Sequence, residues 1–147
     1  MDQKKTIDVE QELGKPRLGA LLFADWASAN PDGKIVLAGV FDNVVLPVTL
    51  EHPHVVFGFY LFVKVGQAHK SNINIWCYSP NGDALSRIIM EPPPKYVPDA
   101  NGPNLIQAVL HVGLEFNQPG IHWFDVEYDG QSLGKTSLIV SFQKVEQ

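Results

Sequence analysis

Two histidines two positions apart, His52 and His54, are the residues whose spacing most directly suggests chemistry. In an extended chain both imidazoles lie on the same side, as in a His-x-His metal clip. Zinc needs three or four ligands, and the sequence has one cysteine and no second closely spaced ligand pair. We therefore interpret the pair as a solvated strand entrance and expect no bound metal or cofactor. A small-ligand-binding domain or a metal-dependent enzyme that uses these histidines is the alternative.

The remaining candidate catalytic residues favour structural roles. Cys77 falls on the apolar side of a predicted strand, where burial raises the pKa of a thiol and makes it a weak nucleophile. Asp25 and Asp42 follow apolar segments and suggest an acid–base pair, but such residues more often bond the backbone N–H groups of a turn. The sequence also lacks a phosphate-binding glycine loop. We therefore expect that the protein is not an enzyme.

Length, composition and charge narrow the classes of function. The 147 residues suit one domain, and 45% hydrophobic with 18% charged residues predict a globular chain. A net charge of −5 opposes binding to the nucleic-acid backbone. No apolar run reaches the roughly 20 residues of a membrane helix. Because the chain also has a single cysteine and no apolar leader, we expect a cytoplasmic protein with neither nucleic acid nor membrane as a partner.

The elements that must position any site are predicted to be β-strands. Residues 1–16 alternate in charge and are expected to form a flexible tail, whereas residues 17–147 are expected to form a single domain. Within that domain apolar residues recur at period two and are interrupted by turn pairs such as Asp129-Gly130. This pattern predicts an all-β fold, a two-sheet antiparallel β-sandwich of seven to eight strands that is immunoglobulin-like. Strands are expected near residues 18–26, 34–45, 55–65, 72–79, 84–90, 106–116, 123–128 and 136–144, with a helix as the alternative for 106–116.

Two neighbouring strands predict a surface rich in aromatic side chains. Alternation between residues 55 and 65 places the odd positions in the core, and the next strand places Ile73, Ile75 and Cys77 there. If the two strands pair, the expected partners are Val63–Ile73, Leu61–Ile75 and Phe59–Cys77, with Tyr60, Phe62, Trp76 and Tyr78 together on the opposite face. A second hairpin is expected to pair Val126 with Leu138 and Phe124 with Val140.

A proline-rich stretch interrupts the strands between residues 91 and 102. Pro92-Pro93-Pro94-Lys95-Tyr96-Val97-Pro98 removes the N–H donors that a central strand needs, so we expect a long loop. Long loops in compact domains often carry function, and Tyr96 is a candidate contact residue. A polyproline segment of this kind could also serve as the ligand of a partner's groove.

Several short motifs stand out along the chain. They are Phe23-Ala24-Asp25-Trp26-Ala27, Pro31-Asp32-Gly33-Lys34 and Gly39-Val40-Phe41-Asp42, and later Pro119-Gly120, Trp123-Phe124 and Tyr128-Asp129-Gly130. In these motifs the sequence resembles a family of small, mostly bacterial proteins of unknown function. It is a resemblance that covers nearly everything after residue 17. It implies a β-sandwich and supplies no activity or catalytic residues.

These observations predict a non-enzymatic β-sandwich module that binds a protein partner or a second copy of itself. The predicted binding residues are the outward-facing aromatics and the loop tyrosine, namely Tyr60, Phe62, Trp76, Tyr78 and Tyr96. The surplus of aromatic side chains is also compatible with a segment of the same chain that covers them, or with stacking on a sugar or another flat ligand.

Overall fold

The computed structural model describes residues 5–8, 14–68, 71–91 and 105–145. These residues contain nine β-strands rather than the seven to eight expected. Strands 17–29, 55–66, 73–78, 84–90 and 105–116 match predicted segments, and the last of these confirms strand over helix. The strands are β1 (Arg17–Ala29), β2 (Ile35–Phe41), β3 (Asn43–Val48), β4 (Val55–Gly66), β5 (Ile73–Tyr78), β6 (Ala84–Met90), β7 (Leu105–Phe116), β8 (Gly120–Tyr128) and β9 (Gln131–Lys144).

Two sheets pack face to face and confirm the predicted β-sandwich. One sheet has the order β2-β1-β4-β7 and the other has the order β3-β9-β8-β5-β6. All strand pairs are antiparallel except β3 with β9, which is parallel. The pairing of β4 with β7 in one sheet and of β5, β8 and β9 in the other matches strands B–E and C–F–G of an immunoglobulin domain. The topology is therefore immunoglobulin-like, as predicted.

The core lies between the sheets and follows the alternation seen in the sequence. Odd residues of β4 and β5 and even residues of β7, β8 and β9 point inward, because successive side chains of a strand leave opposite faces. Three phenylalanine rings form its centre, with the ring centroids of Phe23 and Phe124 4.8 Å apart and those of Phe23 and Phe59 5.7 Å apart. The largest fully buried side chains include Phe59, Phe116, Phe124, Leu61, Ile73, Ile75 and Leu138.

The predicted hairpin between β4 and β5 is wrong. β4 pairs with β1 and β7, whereas β5 pairs with β6 and β8 in the opposite sheet. The predicted partners Val63–Ile73, Leu61–Ile75 and Phe59–Cys77 therefore belong to opposite sheets and point into the same core instead of lying side by side. Both arrangements bury the same odd residues, so burial alone does not distinguish them.

Two further boundaries differ from the sequence prediction. The expected strand 34–45 is two strands, since the chain leaves one sheet after Phe41 and joins the other at Asn43. The β8–β9 hairpin forms, but Phe124 pairs with Thr136 rather than with Val140, and Val126 pairs with Gly134 rather than with Leu138. The reason is a two-residue turn: Asp129 and Gly130 both have positive φ, 52° and 77°, as a type I′ turn requires.

The β1–β2 hairpin leaves its sheet halfway along. Pairing of β1 with β4 ends at Ala24–Tyr60, while pairing with β2 continues to Ala29–Ile35. The side-chain amide of Gln107 on β7 donates a hydrogen bond to the carbonyl of Gly33 in the hairpin turn, with an N–O distance of 2.8 Å. Because β4 lies between β1 and β7, the hairpin crosses the outer face of the four-stranded sheet.

Candidate interaction surface

The predicted aromatic cluster is divided between two opposite surfaces. Tyr60 and Phe62 lie on the outer face of the four-stranded sheet, and Trp76 and Tyr78 lie on the outer face of the five-stranded sheet. The expectation that Tyr60 lies beside Trp76 is therefore wrong, because these two faces point away from each other. Tyr96 and the proline-rich stretch 92–98 lie outside the described residues.

The outer face of the four-stranded sheet is partly occupied by the chain itself. Tyr60 and Phe62 are half-buried there, and Ala24 beside Tyr60 has no exposed surface. The ring of Tyr60 stacks on His111 of β7 at a centroid distance of 4.7 Å. The crossing hairpin, anchored by its turn to β7, reduces the open area of this face. Trp76 and Tyr78 on the other sheet are half-buried as well, so burial does not rank the two pairs, and the crossing hairpin is what distinguishes the face of Tyr60 and Phe62.

The outer face of the five-stranded sheet carries a compact group of rings, and we call it the aromatic face. Trp76 and Tyr78 project from β5, with ring centroids 6.4 Å apart and planes inclined by 24°. Trp123 of β8 is the direct cross-strand neighbour of Tyr78 and is 42% exposed. Sequence reasoning missed Trp123 as a binding residue, although its outward position on β8 was evident from the alternation with Phe124.

Two cations lie against these rings rather than against carboxylates. The guanidinium of Arg87 sits 5.2 Å from the centre of the Trp76 ring, and the ammonium of Lys135 sits 5.7 Å from that of Trp123. Cation–π contacts of this kind are worth about 0.5–1 kcal/mol at exposed sites. Asp125, which lies between Trp76 and Lys135 in the sheet, accepts a hydrogen bond from the Ser132 hydroxyl. Both cations thus remain available to a partner.

Exposed aliphatic side chains extend the aromatic face across the sheet. Ile121 is paired with Ile139 on the neighbouring strand, and Val45 follows on the edge strand β3. Their exposures are 47%, 45% and 59% respectively, which is high for side chains of this type. Polar side chains lie between them on the same face, since Asn43 is opposite Ile139 and Ser141 is opposite Val45. The aliphatic side chains are therefore separate apolar positions beside the rings rather than one continuous band.

One polar atom of the aromatic face has no partner. The indole Nε1 of Trp76 is buried and makes no hydrogen bond with any described residue. Buried indole N–H groups usually find an acceptor, so the atom is a local point of unmet hydrogen-bonding capacity.

The histidine pair His52 and His54 is exposed and lies between β3 and β4. The backbone N–H of His52 donates to the hydroxyl of Thr49 at 2.9 Å, and its carbonyl accepts from the N–H of Thr49 at 3.1 Å. These two hydrogen bonds close a turn between Thr49 and His52. Among the residues that the structure describes, no three histidine, cysteine or acidic side chains are grouped as a metal site requires.

The remaining sequence candidates occupy structural positions. Cys77 is buried, and burial raises the pKa of its thiol to about 12, as expected for its place on the core face. Asp25 lies within β1 rather than at its end, and its carboxylate rests over Gly39 of β2. Asp42 lies where the chain changes sheets, three residues beyond Gly39. Because Asp25 lies beside Gly39, the backbone keeps Asp25 and Asp42 about 10 Å apart and does not bring their carboxylates together.

A buried histidine that the sequence did not single out is His122 on β8. It has no exposed surface, its ring meets that of Phe116 edge-on at 4.9 Å, and its Nδ1 lies 3.2 Å from the carbonyl of Gly120. Nε2 has no partner among the described residues. Desolvation lowers the pKa of His122, although the bond to Gly120 acts in the opposite direction. The ring is therefore neutral, with Nδ1 as the donor. The burial of His122 was predictable from the sequence, because alternation along the strand places it on the same inward face as Phe124.

The chain is thus an immunoglobulin-like β-sandwich domain whose five-stranded sheet carries the aromatic face. Comparisons with known proteins identify the family to which it belongs. The chain belongs to the family of unknown function DUF6941, whose model matches residues 19–141. No curated protein matches it. No helix within the described ranges has the length and apolar content to cross a bilayer.

Solved structures with a similar fold have little sequence in common with the chain. An immunoglobulin-like protein from Pseudomonas aeruginosa has 10% identity and a TM-score of 0.42, with 86% of this chain and 96% of that one covered. A beta-glucosidase from Listeria innocua, crystallised with isofagomine, has 8% identity and a TM-score of 0.38, with 86% of this chain and 17% of that one covered.

Proposed function

We propose that the protein is a non-enzymatic interaction module that docks a protein partner on the aromatic face. The observation that carries this proposal is the contiguous group of Trp76, Tyr78 and Trp123 with Arg87, all on one sheet surface. Tryptophan, tyrosine and arginine are the residue types that most often dominate binding energy at protein interfaces.

The chemistry of the face indicates what the partner presents. The exposed ring of Trp123, the half-buried rings of Trp76 and Tyr78 and the exposed aliphatic side chains favour apolar anchors at the centre of the contact. Arg87 and Lys135 flank the two indoles without ion pairs to described carboxylates, so they favour acidic side chains at the rim. The partner is therefore expected to combine an apolar centre with carboxylates on two sides.

A cytoplasmic setting is part of the proposal. It is supported by the single cysteine, which is buried as a protonated thiol and forms no disulfide.

The test compares proteins retained from a cell extract by wild type and by surface variants of equal stability. Trp123→Ala should lower the affinity for the true partner about 30-fold, the cost of a hot spot of about 2 kcal/mol. Val56→Ala removes a side chain that is 71% exposed on the other sheet and serves as the matched control. A partner retained equally by wild type, Trp76→Ala and Trp123→Ala would show that another surface binds it. Specific retention of a carbohydrate with no protein partner would also contradict the proposal.

Charge reversal tests the predicted rim. Arg87→Glu and Lys135→Glu should each weaken the complex and reduce the dependence of its affinity on salt concentration. An affinity that rises in these variants would contradict an acidic partner.

A further inference from the structure

A cavity opens between the two sheets on the side where β1 and β9 meet, and we call it the side cavity. Its volume is about 310 Å³. The residues that line it are all described, and they are residues 21–23 of β1, residues 40–42 at the end of β2, and residues 136 and 137 of β9. β6 and β7, which residues 92–104 connect, lie at the far edges of the two sheets. The walls of the side cavity therefore depend on described residues alone.

Both ends of the side cavity are closed by the chain. At one end the side chain of Leu18 on β1 packs against Gly134 on β9, since a Cβ added to Gly134 would lie 2.9 Å from Leu18 Cδ2. At the other end the chain crosses between the sheets at Asp42, whose carbonyl accepts a hydrogen bond from the N–H of Ile139 at 2.9 Å. The two closing contacts are about 16 Å apart along β9. An added strand cannot run through this space, whereas a small molecule fits within it.

The floor of the side cavity is apolar and its lip is open. Leu21 and Phe23 are buried, and the ring of Phe23 stacks on that of Phe41 at a centroid distance of 6.1 Å. Leu22 and Val40 at the lip are 39% and 55% exposed. The volume equals that of about ten water molecules and lies at the lower end of the range for ligand pockets. The size therefore favours a ligand of about ten non-hydrogen atoms with an apolar body.

The polar groups of the side cavity favour a positive charge. The Asp42 carboxylate accepts a hydrogen bond from the side-chain amide of Asn43 at 2.8 Å and forms no ion pair with a described residue. Residues two apart on a strand direct their backbone groups to the same side, so the N–H and C=O of Ser137 point as those of Ile139 do. Pairing of β9 with β3 begins only at Ile139, which leaves the carbonyl of Ser137 without a ladder partner. The described lining contains no lysine or arginine that would neutralise these acceptors.

We propose that the side cavity binds a small primary amine with an apolar body. The ammonium group, which has three donors, contacts the Asp42 carboxylate and the Ser137 carbonyl. The apolar body rests on the rings of Phe23 and Phe41. This site is separate from the aromatic face, so either proposal can fail alone.

Titration of the ¹⁵N-labelled protein with 2-phenylethylamine tests the site. The backbone amides of Leu22, Asp42 and Ser137 should shift and saturate. 2-Phenylethanol has the same shape with a hydroxyl in place of the ammonium, and it should bind about fivefold more weakly. The proposal is overturned by the absence of saturable shifts up to about 20 mM, by an alcohol that binds as tightly as the amine, or by shifts confined to Trp76 and Trp123.

A charge-matched pair of variants tests the role of Asp42. Asp42→Asn should lower the affinity for 2-phenylethylamine about fivefold and leave that for 2-phenylethanol unchanged. Glu127→Gln removes the same charge from the outer face of the five-stranded sheet and should leave both affinities unchanged. Unchanged amine binding in Asp42→Asn, or an equal loss in the two variants, would show that Asp42 does not hold the ammonium. Because Asp42 is exposed and asparagine retains an acceptor for Asn43, the variant should keep the wild-type urea midpoint.

Discussion

Replacement of Gly39 by alanine tests how the two family motifs near the N-terminus fit together. Gly39 has a φ of +68°, and a Cβ at this position would overlap the Asp25 carboxylate, with the carboxylate carbon 2.9 Å away and Asp25 Cβ 3.0 Å away. Rotation of the carboxylate alone does not remove the second contact. The left-handed backbone costs an alanine about 1 kcal/mol, and the overlap adds about 2 kcal/mol. Gly39→Ala should therefore lower the free energy of unfolding by about 3 kcal/mol.

The matched control is Gly33→Ala, which has a φ of +85° and nothing within 4 Å of the added Cβ. It should cost about 1 kcal/mol, because only the backbone contributes. In an Asp25→Gly background, which removes both the carboxylate and Cβ of residue 25, Gly39→Ala should also cost about 1 kcal/mol, which gives a coupling energy of about 2 kcal/mol in urea denaturation. Equal costs of Gly39→Ala with and without Asp25, or a cost no larger than that of Gly33→Ala, would refute the argument.

Three further expectations follow from buried groups and from the crossing hairpin. Because burial lowers the pKa of His122 below the ordinary 6.5, the unfolded chain binds a proton that the folded chain resists, so the stability should fall as the pH drops below about 6.5. In His122→Leu the loss of stability caused by protonation of His122 should disappear. A urea midpoint with the same pH profile in the variant and in wild type would contradict this assignment. The thiol of Cys77, with a pKa of about 12, should resist iodoacetamide at pH 8 until the protein unfolds, and rapid alkylation of the native state would contradict its burial. Gln107→Ala removes the bond to Gly33, so amide exchange in the hairpin turn should accelerate while β5 stays protected; equal rates in both proteins would show that the hairpin needs no such anchor.

Alternation in the sequence was sufficient to assign faces but not neighbours. Odd residues of β4 and β5 were correctly placed in the core because each strand must turn its apolar side inward. That requirement is met equally by two strands side by side and by two strands facing each other across the sandwich. The chain between Gly66 and Ile73 crosses to the other sheet, and this choice is made by β1, β7 and β8, which are distant in sequence. The division of the aromatic residues between two surfaces follows from it.

Register within the β8–β9 hairpin shows the same limit on a smaller scale. Parity allows any even shift, so the expected pairing of Phe124 with Val140 kept the right faces and was four residues from the observed one. The type I′ turn at Asp129-Gly130 decides the register, and that dipeptide was visible in the sequence. Trp123 shows the converse case, because its outward position was predictable but its contact with Tyr78 required the pairing of β5 with β8.

The three tryptophans of the chain allow a direct test of the aromatic face as the docking surface. Trp76 and Trp123 lie on that face, whereas Trp26 lies on the hairpin of the other sheet and is 49% exposed. The indole N–H resonances of the ¹⁵N-labelled protein should be recorded during titration with the partner recovered by wild type and lost by Trp123→Ala. The signals of Trp76 and Trp123 should shift or broaden while that of Trp26 stays in place. A response confined to Trp26 would contradict the central claim.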